Sequence, residues 1–268
     1  MTRELAGGKL RLDDPAPHVA RLTIDNPAKR NALDHAILDA IAVTVRQLDA
    51  RCLLVTAAGP VFSAGYDIGG LPSAGFADRA EALVAHPFHD AIEALAAFPF
   101  PSVAVLNGHA IGGGLELALA CDLRLASEDA KVGMPPAQLG LVYSHTGLRR
   151  FVDAIGVART RELFFTARTV SAGRAEQWGL VNEVLPAGEV AARGVEYAAR
   201  IAALAPLSQR GNKRVLNELL AAQGTLDPQT ERELVELRAA CFRSEDLYEG
   251  VRAFAEKREP RWLSLIHI

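Results

Sequence analysis

The stretch Asn107–Asp122, "NGHAIGGGLELALACD", decides how the chain is read. Before it lies the apolar run "PFPSVAVL", and after it "LRLAS". A buried strand therefore leads into three consecutive glycines, an apolar helix and a further strand. Three glycines weaken a helix start, because each surrenders more backbone entropy on folding than any other residue. What they offer is access: without a Cβ, a ligand oxygen can come close to a main-chain N–H. The first-turn N–H groups of a helix have no intrahelical partner and sit at the positive end of its dipole. A helix beginning near Gly112 puts Gly113, Glu116 and Ala120 on one face, at i, i+3 and i+7. That is the plan of an oxyanion hole, with one acid a turn further in. Leu115, Leu117 and Leu119 favour the neutral form of Glu116, a useful property for acid–base work. The same residues also suit tight helix packing with Glu116 in a structural hydrogen bond, and both readings stay open here.

An oxyanion hole needs a second donor. In "FSAGYDIGGLP" (Phe62–Pro72), a turn at Ala64–Gly65 would expose the backbone N–H of Tyr66. Taken alone, this stretch is a glycine-rich loop. Outward from the two segments, "HVARLTI" (His18–Ile24) alternates and stops at "DNP", a strand and turn, and "CLLVTA" is a short buried strand. Leu33, Ile37, Ile41 and Val45 keep helical spacing, "GPVFSAGYDIGGLPSAG" reads as loop, and 79–97 returns to helix. After Ser144 the pattern becomes helical almost to the end. Ser171 and Ser244 stand as N-caps, Glu245 and Asp246 in a first turn, and Gly156 and Gly179 as stops. Strands alternating with helices, then helices alone, predict an α/β body over 1–200 with a helical C-terminal region over 201–268. No solenoid-like repeat stands out.

Composition narrows the partners. The 268 residues are 50% apolar and 23% charged, with a net charge of −3, as for an ordinary globular protein with a sizeable core. That balance gives no electrostatic reason to expect nucleic acid or an anionic membrane as partner. Cys52, Cys121 and Cys241 are scattered, without metal-ligand or disulfide spacing, and fit a reducing cytoplasm. The N-terminus has no apolar signal-like region. The long apolar run from Pro101 to Cys121 is broken by Asn107, His109, Glu116 and glycines, unlike a membrane span. The glycines read G-x-x-x-G-G-G from Gly108 to Gly114, not the dinucleotide pattern G-x-G-x-x-G. His86 and His89 lie three apart without an obvious third ligand, so no metal is expected.

Taken together and in order, "FSAGYDI", "PSVAVLNGHAIGGGLELALACDLRLAS", "GMPPAQLGL" and "GLVNEVLP" resemble the crotonase superfamily, also called the enoyl-CoA hydratase/isomerase family. The resemblance runs from "DNPAKRNAL" to "AFAEKREP", nearly the whole chain. It implies a crotonase-like α/β spiral of ββα units, with a C-terminal helical region used in trimerisation, as a homotrimer or a dimer of trimers. It implies an acyl-CoA thioester substrate and no separate cofactor, coenzyme A being part of the substrate. By resemblance, the N–H groups of Tyr66 and Gly113 hold the thioester oxygen as it becomes an enolate, and Glu116 is the first of two site glutamates. Ala64, with Asp67 and Ile68, should meet the CoA moiety, while Lys29, Arg30 and a neighbouring subunit's Lys257 approach its phosphates.

The second family glutamate belongs in P-E-x-x-L-G; here the stretch reads "PPAQLG", with Pro136 at the acid's place. Proline transfers no proton, whereas hydration needs both an activated water and a proton for Cα. "AGYDIGGLPSAG", "LGLVYSHTG", "RELFFTA" and "SEDLYEGVRAFAEKREP" are similar to the methylmalonyl-CoA decarboxylase branch. That likeness implies that Tyr143 lies near the carboxylate-bearing carbon, although the branch has a histidine where this chain has Tyr66. Three readings follow: a malonyl-type decarboxylase, a hydratase or isomerase using Glu116 alone, and a non-catalytic acyl-CoA-binding or scaffolding member.

Overall fold

A computed structural model describes residues 2–67, 84–223 and 227–261. Strands β1 (Arg3–Leu5), β2 (Leu10–Ala16), β3 (Val19–Ile24), β4 (Cys52–Ala57), β6 (Ser102–Leu106), β8 (Leu123–Ser127) and β11 (Glu183–Leu185) form one sheet, in the order β1-β2-β3-β4-β6-β8-β11. From β3 onward neighbours run parallel, while β1, β2 and β3 pair antiparallel. A smaller sheet holds β5 (Val61–Ser63), β7 (His109–Ile111), β9 (Lys131–Gly133) and β10 (Val170–Ser171), in the order β10-β9-β7-β5.

The pairs β4–β5, β6–β7 and β8–β9 each pass from the large sheet to the small one. Helices α2 (His89–Ala96), α3 (Gly113–Leu119) and α4 (His145–Thr166) follow them in turn. This is the crotonase-type spiral of ββα units. Unequal connections hide the repeat from a sequence comparison. The register of β5 on β7 shifts between Val61 and Ser63, a bulge just before the Gly65 segment.

Both faces of the large sheet are covered, which is why its parallel strands are nearly all apolar. Leu53 and Val55 of β4 face a core shared with Ile37, Leu38 and Ile41 of α1 (His35–Arg46). Cys52 and Leu54 face the other way, toward Val190, Ala198 and Ala202 of α6 (Val190–Ala202). Helix α6 approaches so closely that a Cβ on Gly194 would fall 2.5 Å from Val105 Cγ2. The Cys52 and Cys121 thiols are buried and pushed up to about 12 by that burial, so neither is a nucleophile or redox centre near neutral pH.

Sequence expectations for the body hold closely. "CLLVTA" is β4 end to end, and α1 is capped by Asp34, whose side chain accepts from Ile37 N at 3.0 Å. Ser171 caps α5 (Ala172–Gln177) and Ser244 caps α9 (Glu245–Glu256). Gly156, at φ +75°, interrupts α4 in mid-course, and Gly179, at φ +78°, follows α5. Three details differ. The expected loop after Gly59 contains β5. The helical stretch over 79–97, described from Val84, opens with a π-helical turn to Phe88 that accommodates Pro87. The β1–β2 ribbon has no counterpart among the sequence expectations, because "LRLDDPA" carries charges and a proline where a strand signal would alternate.

At the C-terminal end lie α7 (Pro206–Ala222), α8 (Pro228–Phe242) and α9. Lys213 ties α7 to the body by donating to Phe100 O at 3.1 Å and Asp122 Oδ2 at 2.7 Å. Helix α9 packs Leu247 and Val251 against Leu139 and Leu141, and Glu249 binds the guanidinium groups of Arg252 and Arg258. Among the described residues no helix is long and apolar enough to cross a membrane.

Candidate active site

Gly112 leaves β7 at φ +57° and ψ −126°, a conformation that needs glycine, and its N–H bonds Gly133 O at 2.9 Å. Leu115 N and Glu116 N both return to Gly112 O, at 3.0 and 3.1 Å. The N–H of Gly113, first residue of α3, is left at the helix mouth. The Gly65 segment lies directly against it. A Cβ on Gly65 (φ +90°) would fall 2.9 Å from Ile111 O and 3.2 Å from Gly113 N. Leu33 N bonds Gly65 O at 2.8 Å and Asp67 N bonds Leu33 O at 2.9 Å, so this parallel bridge turns the Tyr66 N–H to the opposite edge. Among the described residues, neither the Tyr66 nor the Gly113 N–H has an acceptor. Two distant glycine-bearing segments thus meet, each carrying a main-chain N–H with no acceptor among the described residues.

The glycines serve separate ends. Gly112 supplies the turn. Gly114 makes room for Ser63, whose Cβ a methyl there would meet at 2.6 Å, and Gly113 lies under the Tyr66 ring, with Cε1 at 2.9 Å from its would-be Cβ. The Gly65 segment is itself held by a residue that the sequence reading passed over. Asn31, fully buried, donates to Ala58 O at 2.8 Å and Val61 O at 2.6 Å and accepts from Asn26 N at 2.8 Å. Its carbonyl accepts from Ser63 Oγ at 2.8 Å, and Ser63 Oγ accepts from Gly65 N at 3.2 Å. One asparagine in "DNPAKRNAL" carries no sign of burial, so no sequence signal marked it.

Glu116 points into the site, 4% exposed. Its Oε2 accepts from the Tyr143 hydroxyl, and its Oε1 would stand 2.9 Å from a Cβ on Gly147, in the first turn of α4. After Asn31, Gly147 is therefore a second site residue that no sequence signal marked. Burial pushes the Glu116 carboxyl above the usual range, offset in part by the Tyr143 hydroxyl and by the charges of Arg150 and Arg238. Tyr143 and Tyr66 are half-buried as residues, and burial of their phenols raises both well above the ordinary tyrosine value. Tyr66 thus brings a hydroxyl to the site as well as an amide. Pro136, where a second acid would stand, is buried at the start of a 3-10 turn over Pro136–Leu139. The arrangement offers main-chain donors for a developing oxyanion and a Tyr143–Glu116 pair that can move a proton.

Residues 16–264 match the family model described as enoyl-CoA hydratase/isomerase. The chain belongs to the enoyl-CoA hydratase/isomerase family. It is 34% identical over 258 residues to a probable enoyl-CoA hydratase, echA8, of Mycobacterium leprae (strain TN), covering 94% of this chain and 96% of that one. To the 2,3-dehydroadipyl-CoA hydratase of Escherichia coli (strain K12) it is 31% identical over 253 residues, 90% of this chain and 94% of that protein. Among solved structures, methylmalonyl-CoA decarboxylase in complex with 2-nitronate-propionyl-CoA superposes with a TM-score of 0.85 at 28% identity, over 96% of this chain and 98% of that one.

For a member of this family, the surroundings of the site matter next. Glu116 opens onto a cavity of about 230 Å³ with apolar walls from Phe88, Ile92, Leu234 and Val235. Its polar wall includes His145, Arg150 and Arg238. Residues expected at the CoA moiety gather around the Gly65 segment: Ala64 N bonds Arg30 O at 3.0 Å, and Lys29 Nζ pairs with Asp67 Oδ2 at 2.7 Å. Ile68 lies outside the described residues. Lys257, at φ +54° just past α9, is exposed, and no described contact joins it to this group.

Proposed function

We propose that this enzyme decarboxylates a malonyl-type acyl-CoA through a thioester enolate held by the Tyr66 and Gly113 amides. The observation that carries the reading is the Tyr143–Glu116 hydrogen bond in a site where Pro136 replaces the second acid. The bond between Cα and the carboxylate carbon breaks, CO₂ departs, and the electron pair passes into the enolate. Its oxygen charge meets two preorganised donors, each worth about 3–4 kcal/mol of barrier. The Tyr143–Glu116 pair then delivers one proton to Cα and is recharged from water. No water need be activated, so a single carboxylate suffices, and coenzyme A arrives within the substrate rather than as a separate cofactor. Ala64, Asp67 and Ile68 would line the CoA moiety, with Lys29, Arg30 and a neighbouring subunit's Lys257 near its phosphates.

A second reading, hydration or isomerisation by Glu116 alone, is favoured by the names of the two hydratase relatives. Assembly as a trimer or a pair of trimers through the C-terminal region over 201–268 fits the exposed Leu207, Val215, Leu216 and Leu219 of α7. The buried free thiols suit a cytoplasmic setting.

The deciding experiment is mass spectrometry of products from crotonyl-, malonyl- and methylmalonyl-CoA. CO₂ with a shortened acyl-CoA supports the decarboxylase. A gain of water on crotonyl-CoA with no CO₂ from the others overturns it in favour of the second reading. No turnover of any of the three points to a member that binds without catalysis.

A further inference from the structure

On the cavity wall next to Glu116, two of the basic side chains each face a carboxylate and a third does not. Arg150 donates to Glu93 Oε1 at 2.5 Å, and His145 Nε2 faces Glu231 Oε1 at 3.8 Å. Glu116 carries the Tyr143 hydroxyl. Arg238, on α8, lines the same cavity and has no ion pair or side-chain hydrogen bond among the described residues. It is half-buried and shares the cavity with Phe88, Ile92, Leu234 and Val235. In such surroundings a guanidinium without a partner is costly, and a carboxylate brought to it gains more than in open water. Of the cavity's two acids, Glu231 faces His145 and Glu116 is a poor counter-charge, since burial favours its neutral form. The missing anion is better supplied by the ligand. Arginine suits that task, because its planar fork matches a carboxylate through two parallel N–H bonds.

We infer that Arg238 selects acyl groups bearing a second, free carboxylate, so that the preferred ligands are half-thioesters of dicarboxylic acids. The inference rests on the cavity being the acyl site proposed above, but not on which reaction follows. Arg238 acts in it as a specificity residue. A cation on a carboxylate that departs as CO₂ steadies the bound ground state more than the transition state, so removing it should raise KM without lowering kcat.

The test compares the full-length protein's affinity for malonyl-, succinyl- and glutaryl-CoA with that for propionyl-, butyryl- and valeryl-CoA, in which a methyl replaces the carboxylate. Calorimetry serves for pairs that are not turned over, and KM where one member is. The expected result is at least tenfold tighter binding of the carboxylated member at one length or more. In Arg238→Gln that preference should shrink to within about twofold, with affinity for the methyl-ended thioester unchanged. Equal affinities at every length in the wild-type protein overturn the inference without any variant, as does a preference that survives Arg238→Gln. If no thioester of either series binds the wild-type protein, the acyl-CoA reading of the cavity fails as well, which separates the two failures.

Discussion

Replacing Gly65 by alanine tests the oxyanion arrangement at its narrowest point. Gly65 sits at φ +90°, where an L side chain costs about 1–2 kcal/mol. The added methyl would also stand 2.9 Å from Ile111 O and 3.2 Å from Gly113 N, inside normal contact, so one segment must yield. Whichever moves, the Tyr66 and Gly113 donors separate. Losing one aligned donor costs about 2.7–4 kcal/mol, or about 10²–10³ in kcat. At about 2–4 °C per kcal/mol, the strain alone lowers the melting temperature by about 2–8 °C. The assay is steady-state turnover of the best acyl-CoA from the product panel, alongside a thermal melt. Gly59→Ala supplies the control, because Gly59 has φ +74° and its new methyl would meet only Pro27 Cβ, at 3.4 Å. It should lose stability and keep its kcat. The reasoning fails if folded Gly65→Ala stays within about threefold of the wild-type kcat, or if Gly59→Ala loses as much.

Three further outcomes follow from the same geometry. Glu116→Gln should fold normally and lose at least about 10²-fold in kcat, the usual share of a general acid–base group, and unchanged turnover would make Glu116 structural. Tyr143→Phe removes a hydrogen bond that favours the charged carboxylate, so the Glu116 carboxyl rises further. Because the proton donor must be protonated, the alkaline limb of the kcat profile should move to higher pH, and a limb that stays put or moves down would contradict the relay. Glu249 is held well below the usual carboxylate range by Arg258, then by the Arg261 N–H and Arg252. A depressed group stabilises the fold at pH above its unfolded value, near 4.3, and loses that contribution as pH falls through the depressed one. Glu249→Gln should therefore melt lower than wild type at pH 7, with the gap closing toward pH 2, and a constant gap would rule out a charge effect.

Much of this architecture was legible because apolar runs and glycines have few alternative uses. "CLLVTA" is apolar on both faces, and a strand between two helical layers is the outcome it fits. "GGGLELA" announced an open helix mouth with an acid one turn inside, and Glu116 occupies that place. What stayed hidden depends on approach between distant segments. Asn31 acts through partners up to 32 residues away, and its burial cannot be seen in "KRNAL". Gly147 looked like any residue in a first turn until Glu116 and Tyr143 were found beside it. Arg238 lies on a helix whose surface is largely polar, and only the docking of α8 over the cavity distinguishes it from its neighbours. The phenol of Tyr66 was equally hidden, since nothing in "SAGYDI" says which way its ring turns.

The bulge between Val61 and Ser63 has a consequence for how this chain can change. The two donors belong to successive turns of the spiral, and the seam between β5 and β7 is what keeps them in phase. One residue of strand spans about 3.3 Å, roughly the width of the oxygen to be held. Inserting or deleting a single position between Val61 and Gly65 would therefore advance one amide past the other by a whole step, leaving a sound fold around a disabled centre. Length variation should be tolerated on the outer connections and forbidden on this short seam.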